Sequence, residues 1–288
     1  MLILGLSNIC RRRVLPALLG LTDVESVDVA THKALNGGGV EWDAGKVYDD
    51  YATALGHSDA SVVYVSLVNS MHLEWARAAI ERGLHVVVDK PAFLGLNETE
   101  QMLNLADRHG VCLAEATVFG YHPQAQLVKD ELATAGCAAT RISATLSFPP
   151  MDPANFRYRR ALGGGCLWDL GPYASAVGRV FFGGEPQSVA CTVLAYGGAD
   201  DVDVAFNMLA DYSDGRSVVG HYGFDTVYRN RLDLLASDVG LEVDRFFTTL
   251  PDDASDVRIT TRQGTQATKG PTGDAFGAFF SHVFNCID

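Results

Sequence analysis

The sequence predicts an α/β protein, with a doubly wound parallel sheet first and an α+β domain carrying a large open, mostly antiparallel sheet after it. Two observations carry this. Through residue 118, short β-branched strands alternate with helical stretches, and a glycine stands just past two of the helices. That is the pattern of repeated βα units joined by right-handed crossovers. Beyond residue 119, helices come first and a run of strands with turn signals follows, as in an antiparallel sheet with helices on one side.

In chain order, residues 2–4 (Leu-Ile-Leu) form a first strand, and residues 11–19 a helix. Strands are expected at 26–30 and at 61–66, where the chain reads Ser-Val-Val-Tyr-Val-Ser. A helix over 72–82 stops at Gly83 and leads at once into a strand at 84–88; a second over 98–109 stops at Gly110 before a strand at 111–114. The pattern then changes to a helix over 123–132 and a strand over 140–148. A loop rich in Pro and Arg follows, then a Gly-Gly-Gly turn and a helix over 172–182. Residues 187–261 read mostly as successive strands, with turn signals such as Ser213-Asp214-Gly215. The chain reaches Asp288 inside an apolar helical pattern (Phe276, Phe279, Phe280, Val283, Phe284), so that helix is expected to be cut short by the end of the sequence.

Composition narrows the function. With 288 residues, 48% of them hydrophobic and 20% charged, the chain is long enough for two globular domains and is neither disordered nor a disulfide framework. Net charge is −13; residues 1–118 hold 9 basic and 15 acidic side chains and the remainder 13 and 20. A surface acidic throughout argues against a nucleic-acid backbone or an anionic membrane as partner. No apolar run approaches the roughly 18 residues of a membrane span. The N-terminus opens as a strand without the basic segment and cleavage site of a secretory signal. Six scattered cysteines show no metal spacing, so free thiols in a reducing cytoplasm are expected, and no metal.

The first strand-to-helix turn reads Gly5-Leu6-Ser7-Asn8-Ile9-Cys10. A dinucleotide turn of the Rossmann kind uses three glycines, for the turn, for approach to the pyrophosphate and for close packing of the helix. Here only Gly5 is glycine, with small Ser7 and Cys10 in the other places. Its position still suits a phosphate, because it opens a helix whose amides would face an anion. Arg11, Arg12 and Arg13 follow in the first turn, either beside that anion or as a solvated basic face. The second strand leads into Thr31-His32-Lys33 rather than the acidic residue that binds a ribose diol, which favours NADP over NAD. Asp28 falls inside the strand.

The strand ending at Val88 runs into Asp89-Lys90-Pro91. The carboxyl end of a parallel strand faces the ligand crevice, where a lysine can hold a substrate oxygen and stabilise a developing alkoxide. Lys-Pro also permits a cis bond.

Together with Ser66-Leu67-Val68-Asn69-Ser70-Met71-His72, the stretch Gly83-Leu84-His85-Val86-Val87-Val88-Asp89-Lys90-Pro91 resembles the Gfo/Idh/MocA oxidoreductases. Residues 163–173, Gly-Gly-Gly-Cys-Leu-Trp-Asp-Leu-Gly-Pro-Tyr, are similar to the family's glycine-rich helix start. The resemblance runs from Met1 to about Phe182 and weakens in the sheet beyond. It implies a dinucleotide-binding Rossmann domain at 1–118 and a substrate-binding domain at 119–288, whose sheet serves dimerisation, in a homodimer or homotetramer. It implies hydride transfer between NAD(P) and a sugar or polyol, with Lys90, Asp169 and Tyr173 as the catalytic group. Tyrosine replaces the family's histidine, as in the subgroup of nucleotide-sugar 3-ketoreductases, xylose dehydrogenases and dihydrodiol dehydrogenases. The first turn, residues 7–18, also resembles that subgroup, whose members mostly favour NADP.

A tyrosine suits the role, because its pKa of about 10 keeps it protonated at neutral pH and able to protonate an alkoxide. Asp169 could orient substrate hydroxyls or cap the helix after Gly171. The expected cofactor contacts are Gly5, Ser7, Asn8, Ile9, Arg12, Thr31, His32, Lys33, Ser66, Leu67, Asn69, His72, Asp89 and Lys90, although His72 reads more readily as structural. Glu115, Tyr121, Arg157, Asp169, Tyr173 and Lys90 are the candidate substrate contacts. Arg157, Arg159 and Arg160 could hold a nucleotide-sugar phosphate or lie in a solvated loop. The leading expectation is an NADPH-dependent reductase of a keto-sugar or nucleotide-sugar. The alternatives are an NADP-dependent aldose or dihydrodiol dehydrogenase, or a non-catalytic dinucleotide or sugar sensor.

Overall fold

The computed structural model describes residues 1–32 and 45–287, and its contacts divide the chain into two compact units. The first comprises Met1–Ala116 and the chain from Phe276 onward, and the second Thr117–Ala275.

The first unit is built from β1 (Leu2–Leu4), α1 (Leu15–Leu19), β2 (Asp28–Ala30), β3 (Val47–Tyr48), α2 (Tyr51–His57), β4 (Val62–Val65), α3 (His72–Ile80), β5 (His85–Val88), α4 (Leu96–His109) and β6 (Leu113–Glu115). All its pairings are parallel, in the order β3-β2-β1-β4-β5-β6, the doubly wound arrangement expected. Leu2, Ile3, Leu4, Val63, Tyr64, Val65, Val86, Val87 and Val88 are all fully buried. Burial on both faces explains why these strands are continuous apolar runs rather than alternating ones.

Two local details differ from the expected helix over 11–19. Residues Cys10–Val14 form a π-helical turn, closed by Leu15 N–H donating to the Cys10 carbonyl, before α1 begins. Pro16 explains the widening: in a regular helix its ring would strike the Arg12 carbonyl four residues back. The sequence reading also passed over β3 and α2, although Asp50 caps α2 by accepting from Thr53 N–H at 2.7 Å.

The second unit contains α5 (Pro123–Thr134), β7 (Arg141–Ser147), α6 (Cys166–Phe182), β8 (Ser188–Gly197), β9 (Val202–Asp211), β10 (Ser217–Gly223), β11 (Arg229–Leu235), β12 (Val239–Asp244), β13 (Asp256–Thr261) and β14 (Gly264–Lys269). The sheet order is β14-β13-β12-β11-β7-β10-β9-β8, antiparallel except where β7 lies parallel to β10. A parallel pair needs a long crossover, and α6 with the β8–β9 hairpin supplies it. α5 and α6 pack on the sheet; Leu170, Ala174 and Val177 of α6 meet Ile142, Leu146, Phe206, Tyr222 and Leu232 in one core. Along β12, Val239, Leu241 and Val243 are buried and the residues between them are not, so the opposite face of the sheet is open.

The helix α7 (Ala275–Ile287), which the sequence placed with the second domain, groups by its contacts with the first unit from Phe276 onward. Phe280 is fully buried with its ring 5.7 Å from Tyr64 of β4, and the Arg13 guanidinium stands 5.5 Å over Phe276. The helix therefore covers the first unit. Periodicity shows that such a helix has an apolar face and is silent about what that face meets.

Candidate active site

Gly5 ends β1 and Ser66 follows β4, the two neighbouring strands from which the sheet winds in opposite directions. Gly5 has φ +87°, and a Cβ there would lie 2.4 Å from the Ser66 carbonyl oxygen, so only glycine lets the two backbones approach at this switch point. Ser7 Oγ lies 2.8 Å from Ser66 Oγ and accepts from Cys10 N–H at 3.1 Å. Cys10 is fully buried where a third glycine would pack helix on strand. Its thiol therefore replaces that glycine without closing the turn, and Asn8 and Ile9 remain exposed on the crest. This backbone cradle, with serine hydroxyls and a helix start, fits a dinucleotide pyrophosphate.

The tip of β2 is arranged around His32. Thr31 is buried with its N–H on the Tyr48 carbonyl; His32 is exposed, with Nδ1 2.7 Å from the Asp49 carbonyl and its ring 4.3 Å from that of Tyr51. Lys33 lies outside the described residues. Asp28 is turned inward, accepting from Lys46 N–H and from the Ser58 hydroxyl at 2.7 Å each. Arg12 is exposed, whereas Arg13 packs on Phe276. The basic triplet thus divides between surface and packing.

Lys90 follows β5 in a turn held from three directions. Its peptide to Pro91 is cis. Asp89 Oδ1 accepts from Lys90 N–H at 3.0 Å, and Glu115 Oε2 accepts from Ala92 N–H at 2.9 Å. His72, buried at the start of α3, has Nδ1 2.8 Å from the Pro91 carbonyl and Nε2 3.1 Å from that of Leu67. Two side chains that the sequence suggested as ligand contacts thereby brace the loops carrying Ser66 and Lys90. Asn69 is buried in the short turn before α3.

In the second unit, α6 begins six residues earlier than expected, at Cys166, and runs through Pro172. Its N-cap is Gly165, and the capping acceptor comes from another element: Asp203 Oδ2 of β9 takes the Leu167 N–H at 2.6 Å. Asp169 consequently lies inside the helix and is not a cap. Asp169 and Tyr173 are four residues apart, on one face of α6. The Tyr173 ring is flanked by Phe119 at 6.0 Å and Phe247 at 5.8 Å, and Phe119 touches Phe246 and Phe247 in turn. Nothing local in the sequence marked Phe119, Phe247 or Asp203, because each acts across long separations.

The arginines before the glycine turn are engaged by acids. Arg157 Nε bonds Asp169 Oδ2 at 2.8 Å. Arg159 pairs with Asp200 at 3.5 Å; Arg160 donates its backbone N–H to Asp200 Oδ2 and its guanidinium to the Asp201 carbonyl. Tyr121 is partly exposed at the end of a short helical turn, and His122 beside it is buried and caps α5 through Gln124 N–H. Among the described residues, no group of three or more His, Cys, Asp or Glu side chains is placed to hold a metal, and no helix is long and apolar enough to cross a membrane.

A doubly wound sheet with a glycine turn at its switch point defines the dinucleotide-binding class of fold. Residues 1–117 match the family model of the oxidoreductase family with an NAD-binding Rossmann fold, and residues 138–242 match the Gfo/Idh/MocA C-terminal domain. The chain belongs to the Gfo/Idh/MocA oxidoreductase family. It is 30% identical to the dTDP-3,4-didehydro-2,6-dideoxy-α-D-glucose 3-reductase of Saccharopolyspora spinosa, over 85% of this chain and 74% of that one. It is 28% identical to D-xylose 1-dehydrogenase (NADP(+)) 2 of Haloferax volcanii, over 90% of this chain and 80% of the relative. Among solved structures, a 3-ketoreductase from Actinomadura kijaniata in complex with NADP and TDP-benzene matches with a TM-score of 0.87 and 26% identity, covering 99% of this chain and 88% of that one.

Proposed function

We propose that this oxidoreductase uses NADPH to reduce a keto group on a sugar or nucleotide-sugar. The observation that carries the reading is the pair Asp169 and Tyr173 on one face of α6, with the phenol ring fixed by Phe119 and Phe247. Lys90 at the carboxyl end of β5 supplies the other polar group of the reaction. The named relatives support the substrate class: a dTDP-sugar 3-reductase and a ketoreductase bound to NADP and TDP-benzene. Gly5, Ser7 and Ser66, with the amides at Asn8 and Ile9, would cradle the pyrophosphate; Arg12, Thr31 and His32 would hold the adenosine ribose and its 2′-phosphate, a role the sequence also suggests for Lys33.

The bound nicotinamide supplies the hydride. Lys90 donates a charge-assisted hydrogen bond to the substrate carbonyl oxygen and stabilises the negative charge that develops there. Tyr173 delivers its hydroxyl proton to that oxygen and is reprotonated from solvent. Asp169 accepts from a substrate hydroxyl and fixes the angle of the sugar. The xylose dehydrogenase relative favours a second reading, with the same groups running the oxidation of an aldose.

The chain is proposed to work in a reducing compartment, since all six cysteines are free. It is proposed to assemble as a homodimer or homotetramer through the open sheet face, where Leu209 and Val219 stand opposite each other, both exposed. Parallel fluorescence titrations with NADPH and NADH test the cofactor. Micromolar NADPH binding with much weaker NADH is expected, followed by NADPH oxidation on a panel of keto-sugars; equal affinity for the two would overturn the 2′-phosphate assignment.

A further inference from the structure

Arg157 touches α6 twice. Its carbonyl accepts the N–H of Gly165, the helix N-cap, at 2.9 Å. A Cβ on Gly164 would lie 2.5 Å from that same carbonyl, so the glycine turn exists to let this segment fold back against the helix. One turn into the helix, Arg157 Nε meets Asp169 Oδ2 at 2.8 Å, with Asp169 almost wholly buried. The guanidinium is itself fixed, its centre 4.8 Å from the Phe156 ring, while Asn155 Oδ1 accepts from Arg157 N–H at 3.1 Å. Nearby, Arg159 pairs with the Asp200 carboxylate at 3.5 Å, the Arg160 guanidinium donates to the Asp200 and Asp201 carbonyls, and the start of the helix donates to the Asp203 carboxylate. This corner of the second unit is therefore built to hold a carboxylate of the protein's own.

We infer that Arg157 is a positioning residue for Asp169, and not a holder of substrate phosphate. Asp169 is too short to reach its neighbours by adjusting several torsions, so a guanidinium gripping one oxygen sets the direction of the other. Losing that grip lets the carboxylate rotate away from the face it shares with Tyr173, and misplacement on that scale costs turnover rather than affinity. The inference rests on the reading of Asp169 as a group that orients substrate.

The test compares Arg157→Ala, Arg157→Lys, Asp169→Asn and the Arg157→Ala/Asp169→Asn double variant. With a keto-sugar substrate, Arg157→Ala is expected to lower kcat by about 10- to 100-fold with KM and NADPH affinity little changed. Added guanidinium ion should restore part of that rate, and Arg157→Lys should retain part of it. In the Asp169→Asn background, removing Arg157 should cost nothing more. A rise in KM alone, confined to nucleotide-linked sugars, would make Arg157 a phosphate holder and overturn the proposal; so would equal kcat losses in the two backgrounds.

Urea unfolding of the same four proteins reads the pair independently of any substrate. An interaction worth about tenfold in the unfolding constant is expected, and additive effects would remove the pair and the proposal with it. If the wild type reduces no keto-sugar while the unfolding cycle shows coupling, the failure belongs to the proposed reaction. If Arg157→Ala does not fold, the Arg157→Lys kinetics decide: unchanged kcat with raised KM counts against positioning.

Discussion

Tyr173 is held by its ring, between Phe119 and Phe247, so Tyr173→Phe alters only the oxygen. The variant should keep its melting temperature and NADPH affinity while turnover falls by about 10²–10⁴-fold, the usual cost of losing a proton donor. Steady-state kinetics beside a fluorescence titration check this, and undiminished turnover would remove the acid role. Cys10 behaves differently. Burial, reinforced by the Asp89 charge, pushes its thiol from the usual 9.0 up to about 12. An acid whose folded value is raised holds its proton longer in the native state, so its contribution to stability is complete below pH 9 and is lost as pH climbs through the folded value. Alkylation near neutral pH should therefore spare Cys10 while exposed Cys286 is labelled, as peptide mass mapping would show. Cys10→Ala should flatten the decline in stability between pH 9 and 12.

At the scale of elements, α6 depends on a cap carried by a distant strand. Asp203→Ala should cost about 1–2 kcal/mol in urea unfolding, the range for losing a helix cap. Asp203→Asn, which keeps an acceptor oxygen, should cost less. Gly165→Ala should cost more than either, because φ there is +123° and the new Cβ would lie 2.5 Å from Asp203 Oδ1. This helix also shows where sequence reading loses its grip. Strands β4 and β5 and helices α3 and α4 were legible because Gly83 and Gly110 punctuate strongly periodic segments. The start of α6 was hidden behind three glycines and Pro172, features that ordinarily end a helix and are overridden here by Asp203 and by the buried face of Leu170, Ala174 and Val177. The candidate site divided in the same way. Lys90, Asp169 and Tyr173 stand in recognisable motifs. The work of Glu115 and His72 on the Lys90 turn, and of Arg157 on Asp169, needed tertiary contacts to become visible.

Across the whole molecule, the chain leaves the first unit at residue 116 and returns to it for α7. Phe280 lies fully buried against Tyr64. Phe280→Ala should lower stability by about 3–5 kcal/mol, as large-to-small changes in a core do, and should weaken NADPH retention on warming. A thermal melt followed by nucleotide fluorescence checks both; an unchanged melt would mean that α7 contributes little to the sheet it covers.

Because that covering helix follows residues 117–275 in the chain, the first unit cannot be completed until the second has been synthesised. Residues 117–275 can close as a unit while the Tyr64 side of the earlier sheet still waits for its cover. The usual sequence, N-terminal domain first, is thereby reversed for the final step, and a nascent chain halted before Phe276 would expose an apolar sheet face to chaperones.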